Sequence, residues 1–105
     1  MPDNTNWSLV FFDDDTKTEY DDYFKDHPGQ DSVRVSFERD VTANPYFHPK
    51  PKRIRPLKGK HKGKFRYKKS STRIVYHPDS TTKKIYPIET GTATDISYKK
   101  KSRKR

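Results

Sequence analysis

No cysteine occurs in the 105 residues. That removes a disulfide framework, a thiolate metal site and a cysteine nucleophile together. Apolar residues make up only 28% of the chain, and no apolar run approaches the roughly 20 residues that span a bilayer. The first residues, MPDNTNWSLVFFDDD, lack a basic leader and a cleavable apolar stretch, so no signal peptide is expected. These absences fit a reducing compartment, and a cytoplasmic protein that does not engage a membrane is expected. Glycine is scarce, and Gly59, Gly63 and Gly91 read as turns because no phosphate-loop pattern surrounds them. With 36% charged residues the composition leans toward disorder. The aromatic content of 13% pulls the other way. One thinly cored domain over residues 1–98 is expected, with the like-charge run at 99–105 as a disordered basic tail.

Charge is divided along the chain. Residues 1–44 carry 11 acidic and 4 basic side chains, a net of −7, whereas residues 45–105 carry 3 and 20, a net of +17. A basic half of that density attracts polyanions by counterion release. An acidic half argues against a simple nucleic-acid coat protein and fits a solvent-facing layer on one side of a basic sheet.

The pattern predicts a short buried strand at 7–12 (WSLVFF). A helix follows over about 14–26, with acidic residues at its start and a stripe of Tyr20, Tyr23 and Phe24 before His27-Pro28-Gly29 breaks it. In 31–43, Val33, Phe37 and Val41 have helical spacing while Val33, Val35 and Phe37 alternate; length and the Asn44-Pro45 stop favour a helix. Four prolines in 45–56 predict a rigid basic connector with no regular element.

Three strands are expected after it: 64–69 and 72–77 as a hairpin about Ser70-Ser71, then 84–89. The pleat puts Phe65, Tyr67, Ile74 and Tyr76 on one face. Lys64, Arg66 and Lys68 then share the other face with Arg73, Val75 and His77. A cationic sheet face is either a solvated exterior or a surface for an anion. The fold expected is α+β: two N-terminal helices on one face of a small, mostly antiparallel sheet of three to four strands.

As an ordered set, Asn44-Pro45, Leu57-Lys58-Gly59, the aromatic–basic strand 64–69, Arg73-Ile74-Val75-Tyr76 and a third strand ending in Gly91 before Tyr98-Lys99 resemble the RelE/ParE toxin superfamily of type II toxin–antitoxin modules. The resemblance spans about residues 5–99 and is strongest over 55–98. It implies the fold just described, a cognate antitoxin partner and, in the RelE branch, an open face that binds messenger RNA on the ribosome and cuts it. By motif, Lys64 and Arg66 fall on the two basic residues of the active strand, Arg73 on a phosphate-stabilising arginine and Tyr98 on a C-terminal aromatic that contacts substrate. Family members commonly carry another Arg shortly after the third-strand glycine. Here the segment is Gly91-Thr-Ala-Thr-Asp95. The ParE branch, which inhibits DNA gyrase and lacks nuclease residues, is therefore the alternative, with a plain basic RNA-binding protein as a third reading.

RNA cleavage by the 2′-OH needs proton transfer and phosphate stabilisation and no metal or cofactor. Arg66 and Arg73 offer fixed donor forks, with Arg73 expected beside Lys64 and Arg66 and carrying most of the effect. Lys64, crowded by cations, is expected to exchange a proton near neutral pH, and Tyr98 to stack a base or act as acid. Lys58, Lys60, Lys62, Lys68, Lys69, Lys99 and Lys100, with His77, make up the expected RNA-contacting set; His77 is the reserve proton carrier. His61 reads as a turn histidine, and His27 and His48, each beside a proline, form no metal-ligand spacing.

Overall fold

The computed structural model describes residues 7–92. Helix α1, Asp14–Asp26, begins where Asp13 adopts extended backbone and accepts the Thr16 N–H at 2.9 Å, while the Thr16 hydroxyl faces back to the Asp13 N–H at 3.3 Å. This reciprocal cap, with Asp14 and Asp15 in the first turn, satisfies and complements the helix N-terminus. Tyr20, Tyr23 and Phe24 are its buried stripe. The helix stops at His27 because Pro28 disfavours helical backbone in the residue before it; Pro28 instead opens a single 3-10 turn, Pro28–Gln30.

Helix α2, Asp31–Ala43, buries Val33, Ser36, Phe37 and Val41. Val35 is 56% exposed; a strand would have buried it with Val33 and Phe37, so the helical spacing wins.

The sheet has five strands in the order β1-β5-β4-β3-β2, more than the three to four expected. Strands β2 (Ile54–Pro56), β3 (Phe65–Lys69), β4 (Thr72–Asp79) and β5 (Lys84–Thr92) are antiparallel neighbours, and β1 (Ser8–Leu9) pairs parallel with β5. The expected buried strand at 7–12 shrinks to these two residues, and Phe12 is 74% exposed. The connector also departs from expectation, since its last three residues form β2. Proline is tolerated there for a geometric reason. The Lys68 N–H donates to Arg53 O at 2.8 Å and the Leu57 N–H to Lys64 O at 3.0 Å. Ladder bonds alternate along an edge, so Pro56 falls between them and its missing N–H would have faced outward. The β3–β4 turn uses Ser70 at φ 56°.

The core is built largely from tyrosine. Tyr20, Tyr67 and Tyr76 are at most 2% exposed and pack with Phe37, Ile74 and Ile85. Each hydroxyl then needs a partner inside. Tyr20 donates to Glu38 at 2.7 Å, Tyr76 to the Pro45 carbonyl at 2.6 Å and Tyr67 to Asp40 at 2.7 Å. Thr72 donates to Gln30 Oε1 at 2.7 Å, so in the 2.8 Å contact between Tyr23 and Thr72 the tyrosine is the donor.

Asp40 is the hub. Its Oδ2 takes Tyr67 and lies 3.1 Å from His48 Nε2, and its Oδ1 takes Arg39 Nε at 3.1 Å. The Lys50 N–H donates to His48 Nδ1 at 3.0 Å, so Nδ1 carries no proton and the neutral ring donates from Nε2. Burial acts to raise the Asp40 carboxyl, but the Tyr67 hydroxyl and Arg39 outweigh it and hold it below its ordinary value. Burial and the Asp40 carboxylate push the Tyr67 hydroxyl up to about 12, so it remains a donor.

Tyr67→Phe should cost about 2 kcal/mol in a urea unfolding titration at pH 7, since it strips a charge-assisted bond from a carboxylate 12% exposed. The lowered folded value makes the Asp40 contribution complete above its unfolded value near about 4 and lost as pH falls through the folded one. Asp40→Asn should therefore be less stable at pH 7 and lose part of the wild type's acid sensitivity; equal steepness of the two pH profiles below pH 4 would contradict the hub.

Candidate functional site

Helices cover one face of the sheet, and the register sorts the other into three rows. Cross-strand partners share a face. The middle row runs Arg55, Arg66, Val75, Glu89 across β2, β3, β4 and β5. On one side of it lie Lys68, Arg73 and Gly91. On the other, His77 pairs with Tyr86, and Lys64, directly before β3, lines a cleft with both. Adjacent rows are about 7 Å apart along the strands.

This register revises one expectation. Arg73 lies opposite Lys68 rather than beside Lys64, which stands two rows away, about 13 Å along the strands. Arg66 is diagonal to both Arg73 and His77, within reach of long side chains.

Several of these side chains are held by backbone. Arg66 Nη1 donates to Lys52 O at 2.9 Å. Arg73 Nη1 donates to Ser70 O at 3.1 Å and Thr72 O at 3.2 Å, which fixes the guanidinium beside the positive-φ turn at Ser70. His77 Nδ1 lies 3.1 Å from the Gly63 carbonyl. A carbonyl only accepts, so Nδ1 carries the proton, and neutral His77 presents a basic Nε2. His77 is exposed, and no described residue hydrogen-bonds that nitrogen.

The other expected contacts divide. Lys68 is on the open face and half-buried. Lys69 turns to the helix side, where its Nζ donates to Ser36 Oγ at 2.7 Å, and it also lines a cleft of about 450 Å³ with Lys50, Lys52, Arg53 and Lys68. Lys58 and Lys62 are exposed on the β2–β3 loop at the Lys64 end, and Lys60 belongs to its 3-10 turn, Gly59–His61. Tyr98, Lys99 and Lys100 lie outside the described residues, as does the tail at 99–105. Among the described residues no three His, Asp or Glu side chains gather as a metal-ligand set, and no helix is long and apolar enough to cross a membrane.

Four contributors escaped sequence reasoning. Arg55 was hidden in a proline-rich segment read as a connector. Glu89 reaches the open face because Val75 pairs with Glu89 while Tyr76 pairs with Pro87, leaving Ile88 unopposed in a β-bulge. Strict alternation from Ile85 would have sent Glu89 inward. Phe12 and Tyr86 line a cleft of about 520 Å³ with Lys64 and His77; alternation shows Tyr86 facing away from Ile85, but nothing in the sequence brings Phe12 to it. Beyond the part of the β5 edge that β1 pairs, Glu19 of α1 takes the Thr90 N–H; burial raises its carboxyl despite that bond, with Glu89 adding to the rise.

No protein-family model matches the chain, and no curated protein matches it by sequence. Among solved structures, a chain in the crystal structure of the toxin–antitoxin complex RelBE2 from Mycobacterium tuberculosis superposes with a TM-score of 0.63 at 18% identity, over 83% of this chain and 98% of that one. At that identity the likeness shows a shared RelE-like fold: two helices against a five-stranded mixed sheet.

Glu89 is the one carboxylate in the middle row of a cationic face. Removing it should strengthen binding of a single-stranded RNA oligonucleotide. Glu89→Gln is expected to tighten the anisotropy-derived Kd roughly threefold in 50 mM salt and less at 300 mM, as screening takes over. An unchanged Kd at low salt would mean RNA does not cross the middle row.

Proposed function

We propose that this chain is the toxin of a toxin–antitoxin pair and cuts messenger RNA on the ribosome through its open sheet face. The observation that carries the reading is the placing of Lys64 and His77 along one cleft beside Arg66, with Arg73 one row further on, all on the side of a RelE-like sheet away from the helices. RNA recognised as a single strand fits such a face, since cations track the backbone while bases are left to stack.

The chemistry follows from the placement. His77 Nε2 takes the proton of a ribose 2′-OH, and the 2′-oxygen attacks the adjacent phosphorus. The bond from phosphorus to the 5′-oxygen breaks, and the Lys64 ammonium, across the strand pair, gives that oxygen a proton. The products are a 2′,3′-cyclic phosphate and a 5′-OH, so atoms and charge balance without a further reactant. Arg66, diagonal to His77, stabilises the charge on the scissile phosphate; Arg73, tied to its turn, grips a neighbouring phosphate. Tyr98 is assigned to the base next to the cut, and Lys58, Lys60, Lys62, Lys68, Lys99 and Lys100 to the flanking backbone. One domain over residues 1–98 with a basic tail, acting in the cytoplasm, completes the proposal.

An antitoxin partner is part of it. A cationic face that damages mRNA when free calls for an acidic or amphipathic segment that folds onto it. The RelBE2 structure is itself a complex of toxin and antitoxin.

A second reading is a gyrase-inhibiting toxin of the ParE kind, favoured by the absence of Arg from Gly91-Thr-Ala-Thr-Asp95. Variants separate the two. Arg66→Ala should lower cleavage of translated mRNA about 100-fold, the cost of one donor to a developing anion, and Arg66→Lys should recover part, because a point charge lacks the fork. His77→Gln should lower cleavage at least about tenfold with RNA affinity retained. If folded Arg66→Ala and His77→Gln both still arrest growth as the wild type does, the nuclease assignment fails and gyrase supercoiling becomes the assay to run.

A further inference from the structure

Phe12 is exposed at 74% in a chain with few apolar residues to spare. Its position, directly before the N-cap Asp13, is where a hydrophobic staple would bury it against the fourth helical residue. That residue is Lys17, and its ammonium sits 5.9 Å above the ring of Phe11 instead. A helix staple therefore does not account for the exposed ring. It meets Tyr86 edge-to-face, with ring centroids 5.9 Å apart and planes at 87°. Both line the cleft of about 520 Å³ that holds Lys64 and His77, a volume suited to one small organic group.

The row order matters. Tyr86 and His77 are cross-strand partners on β5 and β4, and Lys64, directly before β3, lines the same cleft, so the cleft grades from aromatic walls to a cation over about 10 Å. Aromatic faces at one end and a phosphate-binding ammonium at the other match the two ends of a nucleotide. The one carboxylate in the lining, Asp79, has its Oδ1 engaged by the Thr81 N–H at 3.0 Å and caps the turn into β5.

We infer that the Phe12–Tyr86 cleft is a base-stacking subsite for single-stranded RNA, holding the base of a nucleotide whose phosphate reaches Lys64. The inference rests on the reading of the open face as an RNA surface and adds where a base is gripped. Stacking is tolerant of sequence because every base has a π-face, and the edge-to-face pair offers two differently oriented rings for it.

The test uses the full chain and a labelled eight-nucleotide 2′-O-methyl RNA, which binds but has no 2′-OH to react, alongside an abasic strand with the same phosphates. Phe12→Ala should weaken the base-bearing strand about tenfold by fluorescence anisotropy at 150 mM salt and leave the abasic strand unchanged; Phe12→Trp should bind at least as well as wild type. If Phe12→Ala binds the base-bearing strand as tightly as wild type, there is no stacking there and the subsite is wrong. Equal losses on both strands would also overturn it, since phosphate contacts alone would then be affected. Failure of the nuclease reading is separate: a wild type that shows the Phe12 dependence yet leaves translated mRNA intact keeps the subsite and loses the chemistry.

Discussion

Both helices and the strands β3 and β4 are each tied to another part of the chain by a buried tyrosine hydroxyl. With so few aliphatic side chains, the core is filled by rings that carry a polar end, and a buried hydroxyl without a partner costs about 1–3 kcal/mol. The partners come from elsewhere in the chain: Glu38 and Asp40 on α2, the Pro45 carbonyl at the head of the connector, Thr72 at the start of β4. These bonds are directional as well as stabilising, so they fix how α2 sits on the sheet and where the proline-rich segment leaves it. The His48–Asp40–Tyr67 chain resembles a catalytic relay, but the Lys50 N–H occupies His48 Nδ1 and the network lies on the helix side. Its work is structural.

The functional face is the consequence. Once the tyrosines of β3 and β4 are committed inward, strand alternation leaves Arg66, Lys68, Arg73 and His77 outward without further instruction. Backbone carbonyls at Lys52, Ser70, Thr72 and Gly63 then aim three of those four side chains. Preorganisation of this kind lets a charged group act on a substrate without reorganising first. The acidic half of the sequence is largely in the helices on the far side, so like charges concentrate on the open face.

Much of this was legible in the sequence. Helix bounds at 14–26 and 31–43 were set by local signals: acidic residues at the start of the first, aromatic residues three and four apart, and proline stops. The face sorting of residues 64–77 followed from alternation. What was not legible depends on pairing across the chain. β2 was hidden because prolines veto a strand interior, and only an outer edge with the right phase admits one. The bulge at Ile88 turns Glu89 outward against strict alternation. The offset between Arg73 and Lys64 is a matter of hairpin register, since a two-residue turn pairs Lys69 with Thr72 and thereby Lys68, not Lys64, with Arg73.

The central claim is that the open face breaks RNA by 2′-OH attack using this chain's own side chains. The most direct measurement is the chemistry of the ends produced when the purified protein is added to ribosomes translating a defined message. The account predicts cuts within the translated region that carry a 2′,3′-cyclic phosphate on one fragment and a 5′-OH on the other. Fragments with a 5′-phosphate, or an intact message under conditions where the protein arrests growth, would contradict it.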